Sequence, residues 1–270
     1  MESLNIVRPA APAAGYLGGK RNLARRICAR LEAIPHSGYY EPFVGMGGIF
    51  LRRRSRPRAE AINDISGDIA TFFRVLQEHY PYFIDMLRWR VTSRAEFDRL
   101  RELPAERLTD LQRAARFLYL QRLAFGGKVR GRTFGVDARS PARFDVGRLE
   151  PTLSEIHERL AGVVIEQLNY ADFIRRYDHA GALFYLDPPY WSNEEDYGAG
   201  VFARADFDRL AEQLAKIRGN FLLSINDTPG ARAAFARFSI DEVETSWSLP
   251  AATASGAKLA TELIVSNVRV

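Results

Sequence analysis

The sequence predicts an α/β fold in which a mostly parallel sheet is interrupted by a mainly helical insertion. Three observations point there. Apolar, strand-like runs alternate with amphipathic helical stretches, the rhythm of a sheet covered by helices on both faces. One run, Ala182-Leu183-Phe184-Tyr185-Leu186, ends in Asp187-Pro188-Pro189-Tyr190, which sets a carboxylate at the carboxyl edge of the sheet, where open α/β folds bind ligands. Between residues 81 and 161 the rhythm lapses into successive helices and then a stretch rich in glycine and arginine.

In chain order, a helix is predicted from Gly19 to Ala33, and a strand from Tyr39 runs into the glycine turn Val44-Gly45-Met46-Gly47-Gly48. Phe50 stands where a dinucleotide-binding turn needs a small residue, which argues against a pyrophosphate cofactor. The next strand, Glu60-Ala61-Ile62-Asn63-Asp64, ends in an acid at the position where doubly wound folds hold ribose hydroxyls. A helix follows from Ser66 to Glu78. Residues 81 to about 124 read as helices broken near Leu103-Pro104, and Lys128 to Val136 as a β-hairpin with arginines at alternating positions. After a helix from Pro151 to Ala161, strands are predicted at 162–168, 182–186, 220–226 and 261–267, with a helical turn at 172–177 and a helix at 205–218. The last strand is expected to form half of a closing hairpin.

The chain of 270 residues carries a net charge of +5, and that excess is localised. Residues 81–150 hold 15 Lys and Arg against 9 Asp and Glu, so the remainder is slightly acidic. Such a basic segment is the footprint of a surface that tracks phosphates, although individual arginines also solvate helix faces. No apolar run is long enough for a membrane span and no signal-peptide core opens the chain, so a cytoplasmic protein is expected. The lone Cys28 has no internal disulfide partner and reads as a small buried residue. His36, His79, His157 and His179 lack ligand spacing, and no metal is expected.

In Asp187-Pro188-Pro189-Tyr190 the prolines stiffen the loop and remove two backbone donors, leaving acceptors beside an aromatic face. Such a pocket suits a planar base bearing an amino group: the Asp187 carboxylate and the Pro188 carbonyl accept its hydrogens while Tyr190 stacks. A plain strand end with a proline stop accommodates the same residues.

Taken together, these motifs resemble the Dam family of DNA adenine-N6 methyltransferases. Gly15-Tyr16-Leu17-Gly18-Gly19-Lys20 is similar to that family's amino-terminal cofactor motif, Glu41-Pro42-Phe43-Val44-Gly45-Met46-Gly47-Gly48 to its glycine loop, and Asp187-Pro188-Pro189-Tyr190 to its catalytic motif, in the family's order. Phe117 to Arg122 with Phe125-Gly126-Gly127 resembles the start of its DNA-reading segment, and Asn169-Tyr170-Ala171-Asp172-Phe173 the strand end that holds the cofactor adenine. The resemblance implies a Rossmann-like S-adenosylmethionine methyltransferase domain, residues 1–80 and 162–270, with an inserted target-recognition domain, residues 81–161, carrying the hairpin.

For the cofactor, the resemblance implies Asp64 at the ribose, Asp172 at the adenine amino group, Phe43 or the Gly45–Gly47 backbone near the methionine portion, and Tyr16 with Lys20 closing the site, beside Glu41 and Asp187. Arg122, Lys128, Arg130 and Arg132 are the candidate contacts to double-stranded DNA. Restriction-modification chemistry leaves room for a cognate endonuclease as a further partner. The hairpin departs from the Dam-type pattern after Gly127, so a GATC site does not follow. An RNA adenine-N6 methyltransferase and a DNA-binding relative that has lost catalysis remain alternative readings.

Overall fold

The structure is a computed structural model describing residues 4–16, 20–135, 139, 141–194, 198, 200–247 and 258–268. The first strand, β1 (Asn5–Ile6), precedes α1 (Ala24–Ala33), β2 (Gly38–Glu41), β3 (Ser55–Arg56) and β4 (Ala59–Asn63). Helices α2 (Gly67–Glu78), α3 (Tyr80–Arg88), α4 (Arg94–Glu102), α5 (Asp110–Leu123) and α6 (Val146–Arg159) follow without an intervening strand. Alternation returns with β5 (Val164–Glu166), α7 (Tyr170–Tyr177), β6 (Ala182–Leu186), α8 (Arg204–Leu214), β7 (Asn220–Asn226) and α9 (Pro229–Ala234), and ends in β8 (Ser239–Trp247) and β9 (Lys258–Ser266).

The main sheet has the order β5-β4-β2-β6-β7-β9-β8. Its first five strands are parallel, and β9 runs antiparallel to both β7 and β8. From β2 the chain builds outward to β4 and β5, then returns to β6 on the other side of β2. This reversal opens a crevice between the carboxyl ends of β2 and β6, the switch point at which such sheets take ligands.

Strand periodicity divides the core. Leu183 and Tyr185 of β6 face one cluster, with Ile27 and Leu31 of α1 and Phe72 of α2. Phe184 and Leu186 face the other, with Phe173 of α7 and Phe207 and Leu210 of α8. The middle helices join the first cluster: Phe83, Phe97, Phe117, Leu153 and Ile156 bury their side chains with Phe72 and Phe73. They thicken the helical layer on one face of the sheet.

A buried ion cluster also ties α6 to that face. Glu60 of β4 accepts from Arg53 at 3.0 Å and from both Nη atoms of Arg159 at 2.7 and 2.8 Å. The rings of Tyr39 and Phe50 lie 3.5 and 4.0 Å from the two guanidinium carbons and help carry the surplus positive charge.

Several sequence expectations change in detail. Helix α1 starts at Ala24, after a turn in which the Lys20 carbonyl accepts from Leu23 and Ala24, and the expected start at Gly19 lies outside the described residues. Helix α6 begins before Pro151 because Asp145 caps it, accepting the Arg148 N–H at 3.4 Å. Strand β5 keeps three residues of the expected 162–168, at the sheet edge. Strand β8, the partner of the final strand, was not read from the sequence.

The hairpin expected over 128–136 is not formed among the described residues. An isolated bridge, Ala124 to Phe134, closes a loop in which Gly126, Gly127 and Gly131 take φ of 66°, 67° and 57°. These left-handed turns bend the backbone away from the extended path that alternating side chains require. Among the described residues, no helix is long and apolar enough to cross a membrane.

Candidate active site and nucleic-acid interface

Beyond β2, Gly45 and Gly47 adopt φ of 51° and 74°, the left-handed region that glycine enters without strain. A Cβ at Gly45 would stand 3.1 Å from the Tyr16 ring, and one at Gly47 2.9 Å from Leu51. Asp64, just past β4, holds the turn: its carboxylate accepts the Gly45 N–H at 3.0 Å and the Ser66 N–H at 2.9 Å. Burial pushes its carboxyl up to about 6 despite these two bonds. Asn63 staples the neighbouring loops, donating to the carbonyls of Pro42 and Leu168 at 2.9 and 3.0 Å.

Across the switch point, Asp187 follows β6 with its side chain 24% exposed. The Lys20 ammonium lies 2.9 Å from Asp187 and hydrogen-bonds Glu262 of β9 and the Tyr190 hydroxyl, which itself donates to Glu262. Burial alone would lower the Lys20 pKa, yet Asp187 and Glu262 outweigh it and hold the ammonium above the usual lysine range. Burial lifts Asp187 to about 6, against the pull of Lys20 and with added repulsion from Glu262. Glu41 is fully buried, accepts from the Tyr39 hydroxyl at 2.6 Å, and is pushed up to about 8 chiefly by burial.

The loop after Asp187 is pinned from β7. Asn226 accepts the Trp191 N–H at 2.9 Å and donates to the Trp191 carbonyl at 3.1 Å. Ser192, next in the chain, takes φ of 75°, alone among the described non-glycine residues in having positive φ. Two-sided pinning of this loop holds the strained residue in place.

A cavity of about 480 Å³ joins these parts. Tyr16, Lys20, Glu41, Phe43, Gly45, Asp64, Asp187 and Pro189 all line it. Phe43 stacks on Tyr170 with centroids 5.6 Å apart, and Phe202 meets Phe43 edge-on. A flat apolar wall therefore lies in a pocket that also contains a carboxylate able to accept from hydroxyls and a Lys–Asp pair. That donor and acceptor set fits a nucleoside bearing a charged appendage, the shape of S-adenosylmethionine. Gly47 supports the turn without lining the cavity, and Pro188 is buried.

Three sequence-derived assignments change. Asp172 does not line the cavity: it stands on the exposed face of α7 and pairs with Arg175 at 2.6 Å, because the first turn of α7 directs Tyr170 inward instead. Arg122 donates to the carbonyls of Arg143 and, at 3.2 Å, of Ala13, which makes it a tie between α5 and the amino-terminal segment. Arg132 turns inward, bonding Gln121 at 3.1 Å and the Lys128 carbonyl at 3.2 Å, with its guanidinium 5.8 Å from the Phe117 ring centre. It therefore does not share an outward face with Arg130. Lys128 and Arg130 are exposed.

Sequence reasoning missed Glu262, Asn226 and Phe202. Glu262 carried a signal, an acid inside the apolar strand Leu263-Ile264-Val265 that a surface position does not require.

Comparisons with known proteins identify the family. The chain is 26% identical over 280 residues to the Type II methyltransferase M1.LlaDCHI of Lactococcus lactis subsp. cremoris, with 95% of each chain covered. It is 22% identical over 237 residues to the Type II methyltransferase M.CviBI of Paramecium bursaria Chlorella virus NC1A, covering 86% of this chain and 89% of that one. Residues 16–249 match the sequence profile of the D12 class N6 adenine-specific DNA methyltransferases, and the chain belongs to that family.

Proposed function

We propose that this enzyme methylates N6 of an adenine flipped out of double-stranded DNA at a defined sequence, as the modification partner of a cognate restriction endonuclease. Both relatives described above are named Type II methyltransferases, which supports the pairing with an endonuclease. The observation that carries the catalytic reading is Asp187, held by Lys20 in the wall of a nucleoside-sized cavity and followed by a pinned Pro-Pro-Tyr loop.

Residues 1–80 and 162–270 form the catalytic part in this reading, and 81–161 the part that engages DNA. S-adenosylmethionine, when bound, supplies an electrophilic methyl on a sulfonium. Asp64 would hold the ribose hydroxyls, Phe43 and Tyr170 the flat adenine, and the Gly45 turn with Tyr16 and Lys20 the amino-acid portion. No metal enters the proposed chemistry.

Adenine N6 is a weak nucleophile because its lone pair is delocalised into the ring. Asp187 and the Pro188 carbonyl accept its two hydrogens, drawing the nitrogen toward a tetrahedral form and aiming its lone pair at the methyl. Tyr190 stacks on the flipped base and offsets part of the few kcal/mol lost in unstacking it. Arg130 and Lys128 of the exposed loop follow the phosphates.

Methylation-sensitive long-read sequencing of DNA from cells expressing the protein tests this reading. N6-methyladenine confined to one sequence motif is expected. Unmodified DNA, or methyl groups on cytosine, would contradict it.

A further inference from the structure

Lys20 is shared between two carboxylates, and only one of them faces the cavity. Asp187 lines the cavity, whereas Glu262 lies behind it on β9, 2% exposed, bonded to both Lys20 and Tyr190. A Lys–Asp pair would be neutral by itself. Adding a second buried carboxylate is expensive unless something compensates it, and within the cluster only Lys20 carries positive charge.

We propose that Glu262 is a positioning residue that divides Lys20 between two carboxylates, so that the Lys20–Asp187–Glu262 cluster turns one surplus negative charge toward the cationic sulfonium of the cofactor. The proposal rests on the cofactor reading above. Its consequence is selectivity for the charge state of the ligand: the methylated sulfonium is favoured, and the neutral thioether left after transfer is released. Glu262 also orients Tyr190 through its hydroxyl, so the ring that stacks on the base and the carboxylate that receives its amino group share one anchor.

The groups facing Asp187 are Lys20 from the segment before α1, Glu262 from β9, Tyr185 from β6 and Ser224 from β7, whose hydroxyl shares a hydrogen bond of 2.8 Å with the Tyr185 hydroxyl. Glu41 of β2 is near enough to feel the Asp187 charge but is itself held neutral to about pH 8. Asp64, Arg21, Arg52 and Arg122 line the same cavity, with the Arg52 guanidinium bonded to the Gly48 carbonyl and that of Arg122 to the carbonyls of Ala13 and Arg143. The surplus negative charge is that of the Lys20, Asp187 and Glu262 cluster alone, set in a wall that also carries these arginines.

The test is calorimetric titration of S-adenosylmethionine and S-adenosylhomocysteine into the parent protein, Glu262→Gln and Glu262→Asp, with a pH–rate profile for each. Glu262→Gln keeps the shape and the acceptor for Tyr190 but removes the charge. Its preference for the cationic ligand is expected to fall about tenfold, the equivalent of one pKa unit, while its affinity for the neutral ligand holds. The acid limb of its rate profile should move to lower pH, because Asp187 loses the repulsion of Glu262. Glu262→Asp keeps the charge and should retain the preference with slower turnover.

An unchanged preference and an unmoved acid limb in Glu262→Gln would overturn the proposal and leave the methyltransferase reading standing. Loss of the preference in Glu262→Asp would also overturn it, a comparison that stands even if the Gln variant does not fold. Failure of the parent protein to bind either ligand would instead overturn the cofactor reading itself.

Discussion

Gln121 accepts Arg132 at 3.1 Å and gives its two amide hydrogens to the carbonyls of Gly15 and Gly127, at 2.9 and 2.8 Å. One buried side chain thus joins the amino-terminal segment, helix α5 and the exposed basic loop. Gln121→Leu fills the same space but leaves these partners unpaired, which is expected to lower stability by about 1–3 kcal/mol. Thermal unfolding measures that loss. Limited proteolysis should show earlier cutting within 125–135, and equal cutting in parent and variant would rule out the coupling.

The two loop arginines are expected to separate. Arg130→Ala should weaken binding to all duplex sequences and reduce the salt slope of affinity by about one, as loss of a phosphate contact does. Arg132→Ala should leave that slope unchanged and lower the melting temperature, since its partners lie within the protein. Duplex binding across a salt series measures both.

For Asp64, replacement by alanine removes the clamp on Gly45 and the acceptor proposed for the ribose. S-adenosylmethionine affinity is expected to fall at least tenfold, on the order of 1.5–3 kcal/mol. Calorimetry giving parental affinity would move the ribose contact elsewhere.

The sequence exposed the sheet and the acids at its carboxyl edge because both rest on local patterns. Asp187 and Asp64 each follow an apolar strand, and neither position depends on distant residues. The basic loop was misread because alternating arginines mark a hairpin only when the backbone is extended, and three glycines in left-handed φ prevent that. Asp172 was misassigned because a helical first turn points successive residues in different directions, so Tyr170 turns inward and Asp172 outward. Glu262 is linked to Lys20 only by the sheet order, which sets β9 beside β7, and the sequence carries no local trace of that neighbour.

Glu41 gives a stability test with a definite sign. Its folded-state carboxyl is raised from 4.5 to about 8, so across that window the unfolded chain ionises while the folded one stays protonated. Stability is therefore lost as pH rises from 4.5 to about 8 and levels off above. Glu41→Gln removes this dependence, and its melting temperature relative to the parent should climb through the same window, by roughly 5–10 °C. A constant difference from pH 5 to 9 would mean Glu41 is not held neutral.

The most direct measurement is mass spectrometry of nucleosides from duplex DNA incubated with purified protein and S-adenosylmethionine, for the parent and for Asp187→Ala. The parent should yield N6-methyladenine, with a rate that falls as pH drops below about 6, where Asp187 loses its charge. Asp187→Ala should yield none while still binding DNA and unfolding cooperatively, and Asp187→Asn should keep a reduced rate because an amide oxygen still accepts. Undiminished N6-methyladenine from Asp187→Ala would contradict the assignment of Asp187 as the group that acts on the reacting nitrogen.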